Sequence, residues 1–530
     1  MHLLAFGNLF CYQPVGQIHK TFVTLTILIL SIHFCPIQAF GYQRSLSQHQ
    51  RTTNWLPVST PEEQGMNSES LIKMFDYIEK NRVNIHNITI IRNDHIVLNA
   101  DFYPYRQAVV HDVASVTKSI TSTLIGIAID KGFIPNVDTP VLKFFPEVNS
   151  APVNERLQRL TIRHLLTMTS GFCRSFGDGE RQLDVMRRAD DTAAFILQQA
   201  IATEPGQEFA YCSMGTHLLS IIITRATGRN ALQFARHYLF GPLGIRKVIW
   251  PADLQGNSNG WGDFFICPSD LAKIGYLYLR NGDWNGKQLL SKDWIKQATT
   301  RYVRVSEDEE YGYLWWFPGE LAGLYEARGR GDQRLVVWPE KNLVVVMLGS
   351  GFEPGEVGSF IVNALKSQQT LSPNRIAYEK LQRKILAAMK VLPPDVIKPL
   401  SDKARTISGK TFLFEPNEMG LKSFQLNFNN KDIAVLTLSL AVKVSQEFGV
   451  RRSLIGLNGR YSISPSSRFN LPLAAKGSWY GDNIFELIYY EFAGNHLWNI
   501  TMEFEGDEVR WHLMDRAGWV NTSIKAQVKK

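Results

Sequence analysis

Cysteine is scarce in this chain: five in 530 residues, with Cys11 and Cys35 near the N-terminus and Cys173, Cys212 and Cys267 beyond it. No two of them have the spacing of a metal-ligand pair, and the 12 histidines are scattered, which argues against a zinc site or any other metal centre. Charge of one sign is also scarce. Against 57 Lys+Arg stand 49 Asp+Glu, a net +8, and the basic runs are as short as Arg187-Arg188 and Arg451-Arg452. Without a basic stripe interleaved with aromatics, nucleic acid is not an expected partner. Long apolar runs are absent except for Thr21–Phe34, which is short for a membrane span.

That run follows Lys20 and precedes Ile37-Gln38-Ala39, so residues 1–39 read as a signal peptide or a retained N-terminal anchor. The expected location is therefore periplasmic or extracellular, with membrane anchoring through the N-terminal segment as the alternative. An odd number of cysteines past the leader leaves at least one thiol outside any intramolecular bridge.

Residues 40–58 read as a linker. From 59 to 367 strands, helices and loops alternate. Asn87–Ile91, a turn at Arg92-Asn93-Asp94 and His95–Ala100 form one hairpin; Arg334–Trp338, Pro339–Asn342 and Leu343–Leu348 form another. Helical stretches fill the interval, which predicts an antiparallel sheet built from both ends of an α/β (α+β) domain around a helical insertion. Residues 368–406 read as a helical linker, with Ile376–Val391 its periodic part. From 407 to 530 strand follows strand: Lys410–Phe414, Ser423–Phe428, Ile433–Leu440, Phe485–Glu491, Leu497–Phe504 and Val509–Met514, with Asn429-Asn430, Asn458-Gly459, Gly481-Asp482 and Gly506-Asp507 as turn pairs. This is a separate all-β domain, sandwich or small barrel, and it carries no cluster of nucleophile and base.

The chemistry concentrates at Ser115-Val116-Thr117-Lys118. Val116, Ile120, Leu124, Ile127 and Ala128 recur at helical spacing and Lys131-Gly132 ends the helix, which buries one face and puts Ser115 in its first turn. A serine three residues before a lysine on one helical face brings the β-carbons roughly 5–6 Å apart. The helix dipole and free N–H groups there favour the oxyanion of an acyl transfer. Burial of Lys118 favours its neutral, basic form. Ser70-Leu71-Ile72-Lys73 fits the same pattern but lies on the solvent side of an amphipathic helix. Gly256-Asn257-Ser258-Asn259-Gly260 satisfies Gly-x-Ser-x-Gly without the strand and helix that motif requires, and reads as a surface loop.

Ser115–Lys118, Leu165–Gly171, Pro205–Ser213 and Phe240–Ile245 agree in order and spacing with a known pattern. The chain resembles the serine hydrolases of the β-lactamase and penicillin-binding-protein superfamily, closest to class C-like esterases and 6-aminohexanoate-dimer hydrolases, over about 59–367. The resemblance implies an acylated Ser115, Lys118 as its base and Tyr211 as a proton relay, without cofactor. It implies an oxyanion hole from the backbone N–H groups of Ser115 and Arg330, and substrate contacts from Ser213 and Gly329. Trp250 and Trp261 flank the expected cleft loop and are further candidates for touching substrate, a small-molecule ester or amide; Trp315 and Trp316 read as core. Two departures stand out: Ser213 occupies a position where many members have Asn, and Ala327-Arg328-Gly329 stands where Lys-Thr-Gly or His-x-Gly is usual. The cation for a β-lactam carboxylate is thereby missing, with Arg328 and Arg330 expected to point to solvent. That favours an esterase or amidase over a β-lactamase or D-Ala peptidase. A catalytically quiet binding or sensor protein of the same fold is the remaining alternative.

Overall fold

A two-residue turn joins the first pair of strands: Asn93 and Asp94 both take positive φ, 46° and 65°, the backbone twist that lets a tight hairpin match its strands. The computed structural model describes residues 55–106, 109–150, 154–391, 400–428, 431–441, 449–464, 468–492, 496–516 and 520–530. The leader, most of the linker that follows it and the Asn429-Asn430 turn lie outside the described residues.

Eight strands form the main sheet: β1 (Ile85–Arg92), β2 (His95–Asp101), β3 (Val303–Arg304), β4 (Glu309–Tyr311), β5 (Trp316–Pro318), β6 (Tyr325–Gly329), β7 (Gln333–Trp338) and β8 (Leu343–Gly349). Their order is β2-β1-β8-β7-β6-β5-β4-β3. The antiparallel pairing of β1 with β8, Ile88 opposite Met347 and Ile90 opposite Val345, joins the two ends of the domain as the hairpins imply. Every residue of β1 and of β8 is buried, so both faces of the sheet are covered. One face carries α1 (Ser68–Lys80), α5 (Pro354–Ala364) and α6 (Arg375–Ala388), whose Leu71, Phe75, Val357, Ile361, Leu381 and Ile385 share a core with Ile88, Val345 and Met347. The segment read as a connecting helix is thus a packed layer of the hydrolase-like domain: its own apolar stripe is buried there, and Lys384 pairs with Asp76 at 2.7 Å. Against the other face lies α4 (Pro268–Leu279), where Gly275 admits Leu335 and Val344; a Cβ would sit 2.7 and 2.8 Å from them.

The helix behind Ser115, α2 (Val116–Asp130), departs from expectation in one respect. Every residue from Val116 to Ala128 is buried, not one face alone. Its threonines and Ser119 turn to helix carbonyls or to neighbouring loops, as Thr121 does to Gly260 and Ser119 to Leu314, while Ser122 Oγ is left without a partner, so a helix with polar residues all round can run through the interior. Such burial makes α2 a rigid support for whatever its first turn carries.

The C-terminal strands run from Thr411–Phe414 to Asn521–Val528 as one ten-stranded sheet. Val450–Gly456 also pairs with Leu473–Tyr480, through Gly456 and Lys476, which closes the sheet into a barrel and settles the choice left open by the pattern. Phe412, Phe424, Phe485, Phe504 and Trp511 fill its interior. A separate apolar cluster joins barrel to sheet domain: Tyr105, Val110, Phe265 and Cys267 pack on Leu471, Tyr490, Phe492 and Leu497.

Two imidazoles, His86 and His111, are buried at this junction. Burial pushes His111 down to about 4 from an ordinary 6.5, and His86 well below it. The unfolded chain takes up these protons between pH 6.5 and 4 while the folded chain refuses them, so this share of stability is complete above 6.5 and lost as pH falls. Asp112, raised to about 6 by burial, works in the opposite sense between 3.8 and 6 and offsets one of the two. The two imidazoles outweigh the one carboxyl, so stability is expected to fall as pH drops below 6.5. Urea unfolding at pH 7 and at pH 5 checks it, with the lower midpoint expected at pH 5.

Candidate active site

The turn into α2 is built from short-range constraints. Asp112 pairs with Phe265 in a short antiparallel bridge, and the Val113 N–H donates to the Phe264 carbonyl at 3.0 Å. Ala114 has φ +46°, a backbone state that costs a non-glycine residue of order 1–3 kcal/mol unless its surroundings enforce it. Its N–H is held by the Asp112 carboxylate at 2.8 Å. Ser115 then begins the helix without spending its hydroxyl on a cap.

The hydroxyl meets Lys118 instead, whose Nζ lies 2.8 Å from Ser115 Oγ. Lys118 is 2% exposed, and its Nζ also donates to the Trp261 carbonyl at 2.7 Å. Lys118 Nζ also lies over the Tyr211 ring, 4.8 Å from its centroid. Tyr211 is itself buried and stacked on Trp316 of β5, with centroids 6.0 Å apart. Ser115, Lys118 and Tyr211 therefore converge from α2 and from the segment leading into α3 (Ser213–Thr227). Ser213 is buried at the first turn of α3.

Gly329, the last residue of β6, closes the other side. A Cβ there would meet the Val113 carbonyl oxygen at 2.3 Å and the Ser115 nitrogen at 3.2 Å, so only glycine allows the strand to approach the nucleophile turn so closely. Arg330 follows it on the surface, with Nη2 3.4 Å from His496 Nε2 of the barrel.

Several expected placements are corrected. Arg328 is not turned to solvent: it pairs with Glu309 and, at 2.6 Å, with Glu326, and its guanidinium lies 4.9 Å from the Trp316 ring centre. Trp250 is 4% exposed, donates to the Asn259 carbonyl at 2.8 Å and packs on Phe264, so it is a core residue. Trp261 gives its carbonyl to Lys118, while Arg187 lies 4.1 Å over its ring. The loop through Ser258 is interior, not surface. Asn257 and Ser258 are buried, Ser258 Oγ accepts from the Leu232 N–H at 3.1 Å, and Gly260 packs on the Thr216 carbonyl. His217 braces this loop: Nε2 lies 3.0 Å from Asp253 while Nδ1 accepts from the Gly260 N–H at 3.4 Å. Burial alone would raise the Asp253 carboxyl, but hydrogen bonds from His217, Thr192 and Asn257 hold it below the carboxylate range. Ser70, by contrast, is half-buried on α1, away from Lys118, with its hydroxyl on the Asn363 carbonyl of α5.

Sequence reasoning missed the Trp261 carbonyl, the Trp316 platform and the approach of His496. None carries a side-chain signal: the first is a backbone group, and the others join elements distant in the chain. Cys173 and Cys212 form a disulfide, Cα atoms 5.7 Å apart, which ties the residue after Tyr211 to the loop beyond Gly171. Cys267 is free and buried, and burial pushes its thiol up to about 11. The bridge spans 39 positions, a loop whose closure is worth about 4 kcal/mol in the chain-entropy account. Reduction, or Cys173→Ser with Cys212→Ser, is expected to lower thermal stability by up to that amount and to slow any reaction that depends on Tyr211. Melting curves and activity with and without reductant check both effects.

Among the described residues, no group of His, Cys, Asp and Glu is gathered as a metal site, and no helix is long and apolar enough to cross a membrane.

Comparison with known proteins finds a family and several relatives for the chain. A family model described as Beta-lactamase matches residues 79–363, more than half of the chain. An uncharacterized protein of Alkalihalophilus pseudofirmus is 27% identical over 292 residues, 49% of this chain and 79% of its own. A 6-aminohexanoate-dimer hydrolase of Paenarthrobacter ureafaciens is 26% identical over 264 residues, 46% of this chain and 67% of its own. Among solved structures, the octameric penicillin-binding protein homologue of Pyrococcus abyssi is 19% identical with a TM-score of 0.46, covering 86% of this chain and 99% of its own.

Proposed function

Because the chain belongs to the beta-lactamase family, we propose that it is an exported serine hydrolase that opens an ester or linear amide through an acyl-Ser115 intermediate. The contact that carries this reading is Lys118 Nζ at 2.8 Å from Ser115 Oγ, inside a site that excludes water from the lysine. Burial of Lys118 favours the neutral amine, which takes the Ser115 proton as Oγ attacks the substrate carbonyl carbon. The resulting oxyanion is received by the N–H groups of Ser115 and Arg330, which the close approach of Gly329 supports. Tyr211 passes the proton to the leaving oxygen or nitrogen. Water then attacks the acyl-enzyme by the same steps in reverse and frees Ser115. Lys118, Tyr211 and backbone amides supply the acid–base and electrostatic parts, and the steps need no metal or cofactor.

Two observations favour ester or linear amide over β-lactam. Arg328 is committed to Glu309 and Glu326 and so cannot serve as the cation missing from the third motif. The relative named a 6-aminohexanoate-dimer hydrolase supports a linear amide as the substrate class. The Cys173–Cys212 disulfide supports an oxidising compartment. A panel of a p-nitrophenyl ester, a chromogenic cephalosporin and a linear aminohexanoate dimer tests the assignment. Turnover of the first or third is expected; fast turnover of the cephalosporin alone would give the β-lactamase reading, and none at all the binding-protein reading.

A further inference from the structure

The barrel reaches the nucleophile turn through a chain of buried side chains. Tyr490 of the barrel places its hydroxyl 2.8 Å from His86 Nδ1, and His86 Nδ1 lies 2.8 Å from His111 Nε2. His111 Nδ1 lies 2.7 Å from the Asp112 carbonyl oxygen. All four residues are buried, Tyr490 and His86 at 1% and 2% exposure.

Proton bookkeeping gives these contacts a direction. A carbonyl oxygen can only accept, so His111 Nδ1 carries the hydrogen. Both imidazoles are kept neutral by burial, so His111 Nε2 is an acceptor and His86 Nδ1 must donate to it. The same N–H is shared with the Tyr490 oxygen, and His86 Nε2 is left as the buried atom without a partner. One tautomer of each ring satisfies the set. Asp112 is then clamped at both ends, its carbonyl by His111 and its carboxylate by the Ala114 N–H. Those are the bonds on the residue that precedes the strained Val113-Ala114-Ser115 turn. A backbone held at φ +46° keeps that conformation only while its neighbours enforce it.

We infer that His86, His111 and Tyr490 are positioning residues, through which docking of the barrel holds Ser115 in its reactive place. The inference rests on Ser115 being the nucleophile, and it gives the C-terminal domain a part in the reaction.

Four full-length variants test it, once Ser115-dependent turnover of an ester by the parent protein has been shown; absence of that turnover would fault the functional reading and not this one. Tyr490→Phe keeps the ring and removes the oxygen. His111→Asn can still donate from the Nδ1 position to the Asp112 carbonyl, whereas His111→Leu fills the space and cannot. His86→Leu removes the donor to His111. Tyr490→Phe, His86→Leu and His111→Leu are expected to lower kcat, and the rate of Ser115 labelling by a fluorophosphonate, about fivefold or more with KM within about twofold, the size of one lost buried hydrogen bond. His111→Asn should retain most of the rate. A role in packing alone would rank Leu at or above Asn at position 111. That ranking, or parent-like kcat in Tyr490→Phe, would overturn the inference. Should a leucine variant fail to fold, Tyr490→Phe and His111→Asn still decide, because loss of rate in the first with retention in the second is the predicted pair and any other pair contradicts it.

Discussion

Ser115→Ala is expected to abolish turnover, lowering kcat by about 10⁴-fold or more, as loss of the nucleophile does in serine hydrolases generally. Three other serines that the sequence or the helix offers are committed elsewhere. Ser119, one turn further along, gives its hydroxyl to the Leu314 carbonyl at 2.6 Å. Ser258 is locked under the Leu232 N–H, and Ser70 gives its hydroxyl to the Asn363 carbonyl of α5. The fold should not register the change. Ser115 makes no side-chain cap to the helix it starts, so alanine removes no helix-capping bond, and Lys118 keeps the Trp261 carbonyl. Unfolding within about 0.5 kcal/mol of the parent, with turnover gone, separates loss of chemistry from loss of structure.

Lys118→Met should lower kcat by about 10²- to 10⁴-fold, the usual worth of a positioned general base. Methionine approximates the stem of lysine and removes an amine that is 2% exposed. Because the buried Trp261 carbonyl loses its donor, the variant is expected to be less stable than the parent by about 1–3 kcal/mol. Its pH profile should differ in kind. With no internal base, the residual rate should climb steadily with hydroxide concentration, while the parent reaches a plateau once its base is deprotonated. Paired pH–rate measurements on an activated ester check this. A parent-like rate in the variant would remove Lys118 from the proposed mechanism.

Much of this was legible because it is local. The helix behind Ser115, its end at Gly132 and both hairpins follow from apolar period and turn residues within a dozen positions. Sheet closure between β1 and β8 followed from two very apolar hairpins with no other place to pair. The barrel strands found from the pattern were those alternating apolar and polar residues. Val450–Gly456, Leu473–Tyr480 and Asn521–Val528 were missed because Arg451-Arg452, Ala474-Ala475 and Asn521–Ser523 break that alternation; strand pairing on both sides supplies what their side chains do not. Ser258 misled for a related reason. A Gly/Asn-rich stretch signals an irregular backbone, but its burial under α3 depends on Ser220, His217 and Thr216, which are distant in the chain. Arg328 was misplaced because Glu309 reaches it only through strand order, although Glu326, two residues earlier on the same strand face, was a local signal.

The most direct test of the account is peptide mapping by mass spectrometry after the intact protein reacts with a fluorophosphonate. The account predicts one adduct, on the peptide containing Ser115, formed in the parent protein and absent from Ser115→Ala. An adduct on Ser70 or Ser258, or none on folded protein, would contradict it.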